Sequence, residues 1–354
     1  MKHFTAYVFL LALLLTGCGG AVDPDTAQES IQVLAMDTAM LITTYGERSP
    51  AAAYACEDVI RDLEAKLSRT LEDSEVSRLN ASGTLEDSEA ELRSILSQAG
   101  YYCQETGGAF DVTVAPVVSA WGFAGGAEYR VPPQEELDRL LELVDGSAVK
   151  VNGQTVTLGP GQSIDLGAVA KGCAADRILE VLQEYEVPRA NISLGGNVLA
   201  WGDRPDGTPW RVGIQDPARV GEPNAFAGVL ELTDAFAVTS GGYQRYFEQG
   251  GKTYHHIIDP ATGHPADSGL RSVTVTAPAA RKDDWNGTMC DAFSTALFVM
   301  GEEKALEFWR ERGAGGAFDL VLVTEDGRVV VTEGLADRFT LDEASGYALE
   351  AASQ

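Results

Sequence analysis

Basic residues are scarce. The 354-residue chain has 26 Lys and Arg against 53 Asp and Glu, a formal net charge of −27. A nucleic-acid binder needs a basic footprint to neutralise phosphates, so that class is excluded. Electrostatic attraction to anionic lipid is not expected either. Cysteine and histidine are sparse, at 5 and 4. No C-x-x-C pair occurs, which disfavours a structural zinc site, and no H-E-x-x-H, which removes a zinc protease. The phosphate loop G-x-x-x-x-G-K-[ST] and the dinucleotide fingerprint G-x-G-x-x-G are both absent. With 38 Gly and 14 Pro, collagen-like and low-complexity readings fail. No internal repeat is visible. Past the N-terminus no apolar run reaches transmembrane length. What remains is a globular composition, 45% hydrophobic and 22% charged, with ample material for a core.

The first 17 residues read as an export signal: Lys2 supplies the positive end, and the stretch Phe4 to Leu15 is apolar but short for a membrane span. Leu15-Thr16-Gly17-Cys18 resembles the lipobox of bacterial lipoproteins, which implies cleavage before Cys18 and lipidation of its sulfur. The other reading is an ordinary signal with an incidental cysteine. Removing 1–17 takes away one basic residue and leaves net charge −28. Residues 19–30 are small and polar, as a tether should be. The domain layout expected is a signal at 1–17, a lipidated tether at 18–30 and a functional domain at 31–350. Among the remaining cysteines, Cys56 and Cys103 fall in two expected helices. Export permits a bridge, but two buried free thiols are the preferred reading.

Periodicity predicts a strand over 32–45 and helices over 51–69, 87–105 and 168–186. Further strands are expected at 189–200, 210–215, 227–239 and 270–277, and further helices at 286–299 and 301–312. Asn152-Gly153 and Asp326-Gly327 predict hairpins over 147–158 and 318–332. Hairpins mixed with helices make α+β the expected fold class.

Three segments concentrate chemistry. Once the signal is removed, every histidine lies between 255 and 264, and His256 leads into Ile257-Ile258-Asp259-Pro260-Ala261-Thr262-Gly263. Strand-end surface histidines are the bland alternative. Asp291 and Thr295 stand one helical turn apart, so a carboxylate and a hydroxyl share a face. Two hard oxygens suit Mg²⁺, which usually keeps substrate phosphates as further ligands. Taken alone, the pair is read more simply as helix capping and packing. Third, Asp165-Leu166-Gly167-Ala168-Val169-Ala170-Lys171-Gly172 places a turn before a helix start, which favours anions, with Lys171 adding charge. Glycine turns at Leu194-Gly195-Gly196-Asn197 and Thr239-Ser240-Gly241-Gly242 permit close backbone approach to a ligand, or simply a tight turn.

Together with Met36-Asp37-Thr38, Ser74-Glu75-Val76-Ser77-Arg78-Leu79-Asn80, the stretch from Gly108-Ala109-Phe110-Asp111 to Pro116, and Trp121-Gly122, these segments resemble the ApbE family in their order and coverage. The resemblance implies an α+β fold of two subdomains with FAD in the cleft between them. It implies transfer of FMN from FAD to a Ser or Thr hydroxyl of an extracytoplasmic acceptor protein, with AMP released. Mg²⁺ would be held by Asp291, Thr295 and the carbonyl of Ala168. FAD would be contacted by Met36, Ala109, Phe110, Asp111, Asp165 and Lys171. His256 would lie at the pyrophosphate, as a phosphate contact or a proton-transfer group, with Asp291 the other catalytic position. Family members often carry an aromatic residue just before the Ser-Glu pair, where this chain has Asp73. Asp73 either helps bind a second metal, which would favour FAD hydrolysis to FMN and AMP, or is a solvated loop residue. A FAD-binding lipoprotein without catalysis is the third reading. In each, FAD is the ligand, Mg²⁺ the metal of the two enzymes, and the membrane is reached through the lipid at Cys18.

Overall fold

The computed structural model describes residues 27–280, 284–313 and 315–353. The export signal, Cys18 and the tether up to residue 26 lie outside the described residues. Chain order begins with β1 (Gln28–Ala35), β2 (Thr38–Tyr45), α1 (Ser49–Leu67), α2 (Glu75–Ser82), β3 (Thr84–Leu85), α3 (Ala90–Glu105), α4 (Ala115–Ala120) and α5 (Gln134–Leu141). It continues through β4 (Lys150–Asn152), β5 (Thr155–Thr157), α6 (Ala170–Glu184), β6 (Arg189–Ser193), β7 (Asn197–Trp201), β8 (Trp210–Gln215), β9 (Phe226–Leu232) and β10 (Ala235–Gly241). It ends with β11 (Tyr246–Gln249), β12 (Lys252–His255), β13 (Leu270–Pro278), α7 (Asn286–Met300), α8 (Glu302–Arg312), β14 (Asp319–Thr324), β15 (Arg328–Thr332), β16 (Phe339–Leu341) and β17 (Ala348–Ala352).

A nine-stranded sheet in the order β1-β2-β6-β7-β10-β13-β14-β15-β17 organises the molecule, and three small sheets join it: β16-β9-β8, β11-β12 and β3-β5-β4. The large sheet is antiparallel except for the β15–β17 pair. Several of its central strands are buried on both faces, and the side chains alternate accordingly. Phe236 and Val238 of β10 and Leu320 and Leu322 of β14 pack among the helices. Ala235, Ala237, Val321 and Val323 pack instead with Trp210, Ile214 and Leu230 of the β16-β9-β8 sheet. A third cluster joins Trp121, Phe123, Leu137 and Ile258 to Phe247 and Tyr254 of the β11–β12 hairpin. Among the described residues no helix is long and apolar enough to cross a membrane.

The α+β expectation holds, and the helices and both Asn-Gly and Asp-Gly hairpins fall within a few residues of their expected places. Three long strands do not. The run expected at 32–45 is two strands, because Met36 and Asp37 take φ of 48° and 59° and fold the chain back on itself. The run at 189–200 breaks at Gly195-Gly196, with φ of 70° and 105°. The run at 227–239 breaks at Asp234 (φ 47°), and its halves join different sheets. Residues 28–30, expected in the tether, open β1. Cys56 and Cys103 are free thiols, with Cys56 buried but Cys103 only half-buried. Helices α2, α4 and α5 and the hairpin β11–β12 were not anticipated.

Candidate active-site cleft

A cavity of about 1000 Å³ opens where the layers meet, and nearly every chemically notable segment reaches it. The reversed turn at Met36-Asp37 brings Met36 to its wall, and the Met36 N–H donates to Glu64 of α1. Ala109, Phe110, Asp111, Asp165, Ala168, Lys171, His256, Asp291 and Thr295 all line it. Asp73 does not: it is exposed in the turn that precedes α2, where Ser74 caps the helix by accepting from the Ser77 N–H.

Two of the expected ligand carboxylates are already engaged. Asp111 is buried; one oxygen accepts from the Thr113 N–H and hydroxyl, and the other from the Gly146 N–H. It caps a short turn and ties the 145–148 loop down. Asp165 accepts from the Gly167 N–H at 2.8 Å and pairs with Arg69 at 2.7 Å. Arg69 also donates to Ser119. It lines the cleft and was missed, because its meaning depends on a partner 96 residues away.

Asp291 differs. It is 4% exposed, and among the described residues only its carboxylate Oδ2 has a partner, the Gly172 N–H in the first turn of α6 at 2.8 Å. The Thr295 hydroxyl lies one turn further along α7, 3.1 Å from the Ser240 hydroxyl. One uncommitted carboxylate oxygen, a hydroxyl and the adjacent 168–171 backbone form a hard-oxygen donor set. That set fits a Mg²⁺ that fills its remaining positions with water and phosphate oxygens. Among the described residues no group of three His, Cys, Asp or Glu side chains could hold a metal, so a site made wholly of such ligands is not present.

Positive charge lines the same cleft. Lys171 makes no ion pair or hydrogen bond among the described residues. Arg245 donates to the Phe123 carbonyl at 3.0 Å and lies 3.9 Å from Asp37. His256 is half-buried, with Nδ1 3.2 Å from the Arg245 carbonyl. Loss of hydration, followed by the positive charges of Arg245, His255 and Lys171, pushes its pKa down to about 4. The ring is therefore neutral at physiological pH. His255 is engaged elsewhere, where it meets the Ala266 carbonyl, accepts from the Ile257 N–H and packs edge-on against Phe298. Asn197, 2% exposed, also lines the cleft, and its Nδ2 has no partner among the described residues.

A cleft with three cationic side chains, a helix start and a half-free buried carboxylate is built for a polyanionic ligand held together with a cation. The comparisons define the protein class more narrowly. The ApbE family model matches residues 36–318, and the chain belongs to the ApbE family. It is 34% identical over 295 residues to the FAD:protein FMN transferase of Haemophilus influenzae, covering 80% of this chain and 82% of that protein. To the FAD:protein FMN transferase of Treponema pallidum it is 32% identical over 369 residues, covering 97% and 98%. The crystal structure of the ApbE protein from Thermotoga maritima superposes with a TM-score of 0.79 at 30% identity, covering 87% of this chain and 98% of that one. The flavin transferase ApbE from Vibrio cholerae gives 0.72 at 27% identity, covering 89% and 96%.

Proposed function

We propose that this chain is a Mg²⁺-dependent FAD:protein FMN transferase that acts outside the cytoplasm, anchored by lipid at Cys18. The observation that carries the chemistry is the half-free Asp291 carboxylate beside the Thr295 hydroxyl, in a cleft that also holds Lys171 and a neutral His256. Family membership supplies the reaction class. In that reaction a Ser or Thr oxygen of the acceptor bonds to the FMN phosphorus, the pyrophosphate bond breaks, AMP leaves with the bridging oxygen, and the acceptor gives up its hydroxyl proton.

A chain of net charge −27, or −28 without residues 1–17, repels FAD at long range, so attraction must be local. The Lys171 ammonium binds phosphate oxygens, and the positive end of the α6 dipole adds to the attraction. Arg245 and Arg69 extend the cationic wall. Asp291, Thr295 and the Ala168 carbonyl would hold Mg²⁺, which supplies charge neutralisation of the attacked phosphoryl and of the departing phosphate. His256, neutral before FAD binds, donates one hydrogen bond to a phosphate oxygen or accepts the acceptor's proton. Met36, Ala109 and Phe110 offer apolar surface to a ring, and Asp165 and Asp111 stiffen the walls through their internal bonds.

The hydrolytic alternative drew on Asp73 as a second metal ligand. Asp73 is exposed in the turn before α2, which favours the transferase reading. The test mixes the chain with FAD, Mg²⁺ and a flavin-acceptor domain, then reads flavin fluorescence on the denatured acceptor and free FMN in the same tube. Covalent flavin that disappears with a Thr→Val change at the acceptor site establishes transfer. Free FMN with a bare acceptor establishes hydrolysis. Bound, unaltered FAD would leave a binding lipoprotein.

A further inference from the structure

We propose that Asp176 is a positioning residue for this cleft: by capping helix α7 from a neighbouring helix, it sets where Asp291 stands. The proposal rests on the reading of Asp291 as a metal-holding carboxylate given above.

Neither α6 nor α7 caps its own N-terminus. Val169 and Trp285, the residues before them, make no side-chain cap bond, and Trp285 enters α7 in the left-handed region at φ 52°. Four N–H groups at each helix start need acceptors. At α6 the Leu166 carbonyl takes the Val169 and Ala170 N–H groups, and the two helices supply side-chain acceptors to each other. Asp176 of α6 accepts from the Gly287 N–H at 2.8 Å with Oδ1, and from the Thr288 N–H at 2.8 Å and hydroxyl at 2.6 Å with Oδ2. Asp291 of α7 accepts from the Gly172 N–H of α6. Gly172 and Asp176 are one turn apart on α6, as are Thr288 and Asp291 on α7, so the bonds close a four-cornered frame.

The frame has no slack. A Cβ on Gly172 would sit 2.4 Å from the Gly287 carbonyl oxygen, and one on Gly287 2.7 Å from the Gly172 oxygen. Asp176 is 3% exposed and Thr288 is fully buried. Asp176 does not line the cleft, so it reaches no ligand directly. Its influence passes through α7 to the bond that occupies Asp291 Oδ2, and this decides which way the free oxygen points. Burial pushes the Asp176 pKa up to about 6 against the lowering pull of its Thr288 and Gly287 bonds, so the carboxylate is kept here at a cost.

The experiment measures Mn²⁺ binding to the FAD-loaded chain by electron paramagnetic resonance, together with metal-free FAD binding. Asp176→Asn keeps the shape but cannot accept at both ends. The expected result is a rise of about 10-fold or more in the Mn²⁺ Kd, as for other groups that orient a metal ligand, with FAD affinity within about twofold. In the Asp291→Asn background the same change should cost nothing further, because the two act as one unit. Thr288→Val, which removes one corner at constant volume, should move Mn²⁺ affinity the same way by about threefold, and it carries the test should Asp176→Asn fail to fold. Unchanged Mn²⁺ affinity in a folded variant overturns the proposal. So does equal weakening of FAD and metal, or a full additive loss on top of Asp291→Asn. If wild-type Mn²⁺ binding does not depend on Asp291, it is the underlying metal reading that has failed.

Discussion

The cleft has two unlike walls. On the helix side, Asp176, Thr288 and Asp291 are each at most 4% exposed and bound at 2.6–2.8 Å across a glycine crossing. On the opposite side, Arg245 is 43% exposed and 3.9 Å from an Asp37 that is 85% exposed. The β11–β12 hairpin there is a two-stranded sheet joined to the rest by packing of Phe247 and Tyr254 against Trp121, Phe123 and Tyr129. Hydrogen bonds sealed from water hold a geometry, whereas exposed charges are screened and hold little. The helix wall is therefore suited to placing atoms for chemistry, and the cationic wall to drawing a ligand in.

The sharpest break would come at Asp291. Asp291→Asn should retain the Gly172 bond yet lower the initial rate of FMN transfer by about 10³-fold, since metal stabilisation of the transferring phosphoryl is worth several kcal/mol. A variant retaining a tenth of wild-type rate would show that the carboxylate does not hold the metal. Next is Gly172→Ala, whose methyl would meet the Gly287 carbonyl. It should cost about 1–3 kcal/mol or more in urea unfolding, as overpacking does. An unchanged midpoint would mean the crossing can spread, and the contrast between walls would dissolve. At the start of α6, Lys171→Met should raise the KM for FAD about 10-fold, the worth of one charge-assisted contact, with the midpoint of unfolding unmoved. A large fall in kcat instead would give Lys171 a part in the chemical step.

The smallest effect is one of pH. His256 has a folded pKa of about 4 against an ordinary 6.5. Protons are therefore taken up more readily by the unfolded chain. The stability contributed by the neutral ring is complete above pH 6.5 and drains away as pH falls through 4. His256→Gln should flatten the dependence of the unfolding midpoint on pH across that window. Only part of it should go, because burial also lowers the His255 pKa. No limb near 6.5 should appear in kcat/KM for the free enzyme. A limb there would show that His256 is better hydrated than its surroundings imply.

Legibility in the sequence followed the range of the interaction. Asn152-Gly153 and Asp326-Gly327 announced their hairpins because those residues prefer the turn backbone locally. Met36-Asp37 turned the chain with non-glycine residues at positive φ, where composition carries no warning. Gly195-Gly196 carried one, and a strand was drawn through it. The hairpin β11–β12 had Gly250-Gly251 as a signal, between runs too polar to read as strands. Asp291 and Thr295 were visible as a one-turn pair, but capping and metal ligation looked alike until α6 was placed beside them. The capping description holds, since one oxygen of this carboxylate accepts from the Gly172 N–H, and the other oxygen is the one the metal proposal uses. Asp176 and Arg69 could not be found by local pattern, for their partners lie 111 and 96 residues away.

The bond between Asp291 and Gly172 joins residues 119 positions apart. A contact spanning so much chain closes a large loop, and its entropy is recovered only when the intervening sheet is in place. A metal held by Asp291, as proposed above, would therefore need the sheet between the two residues in place and not the α6–α7 segment alone. Ligand binding and global stability are then one thermodynamic quantity seen from two ends, and the loaded protein should resist proteolysis along its whole length rather than at the cleft alone.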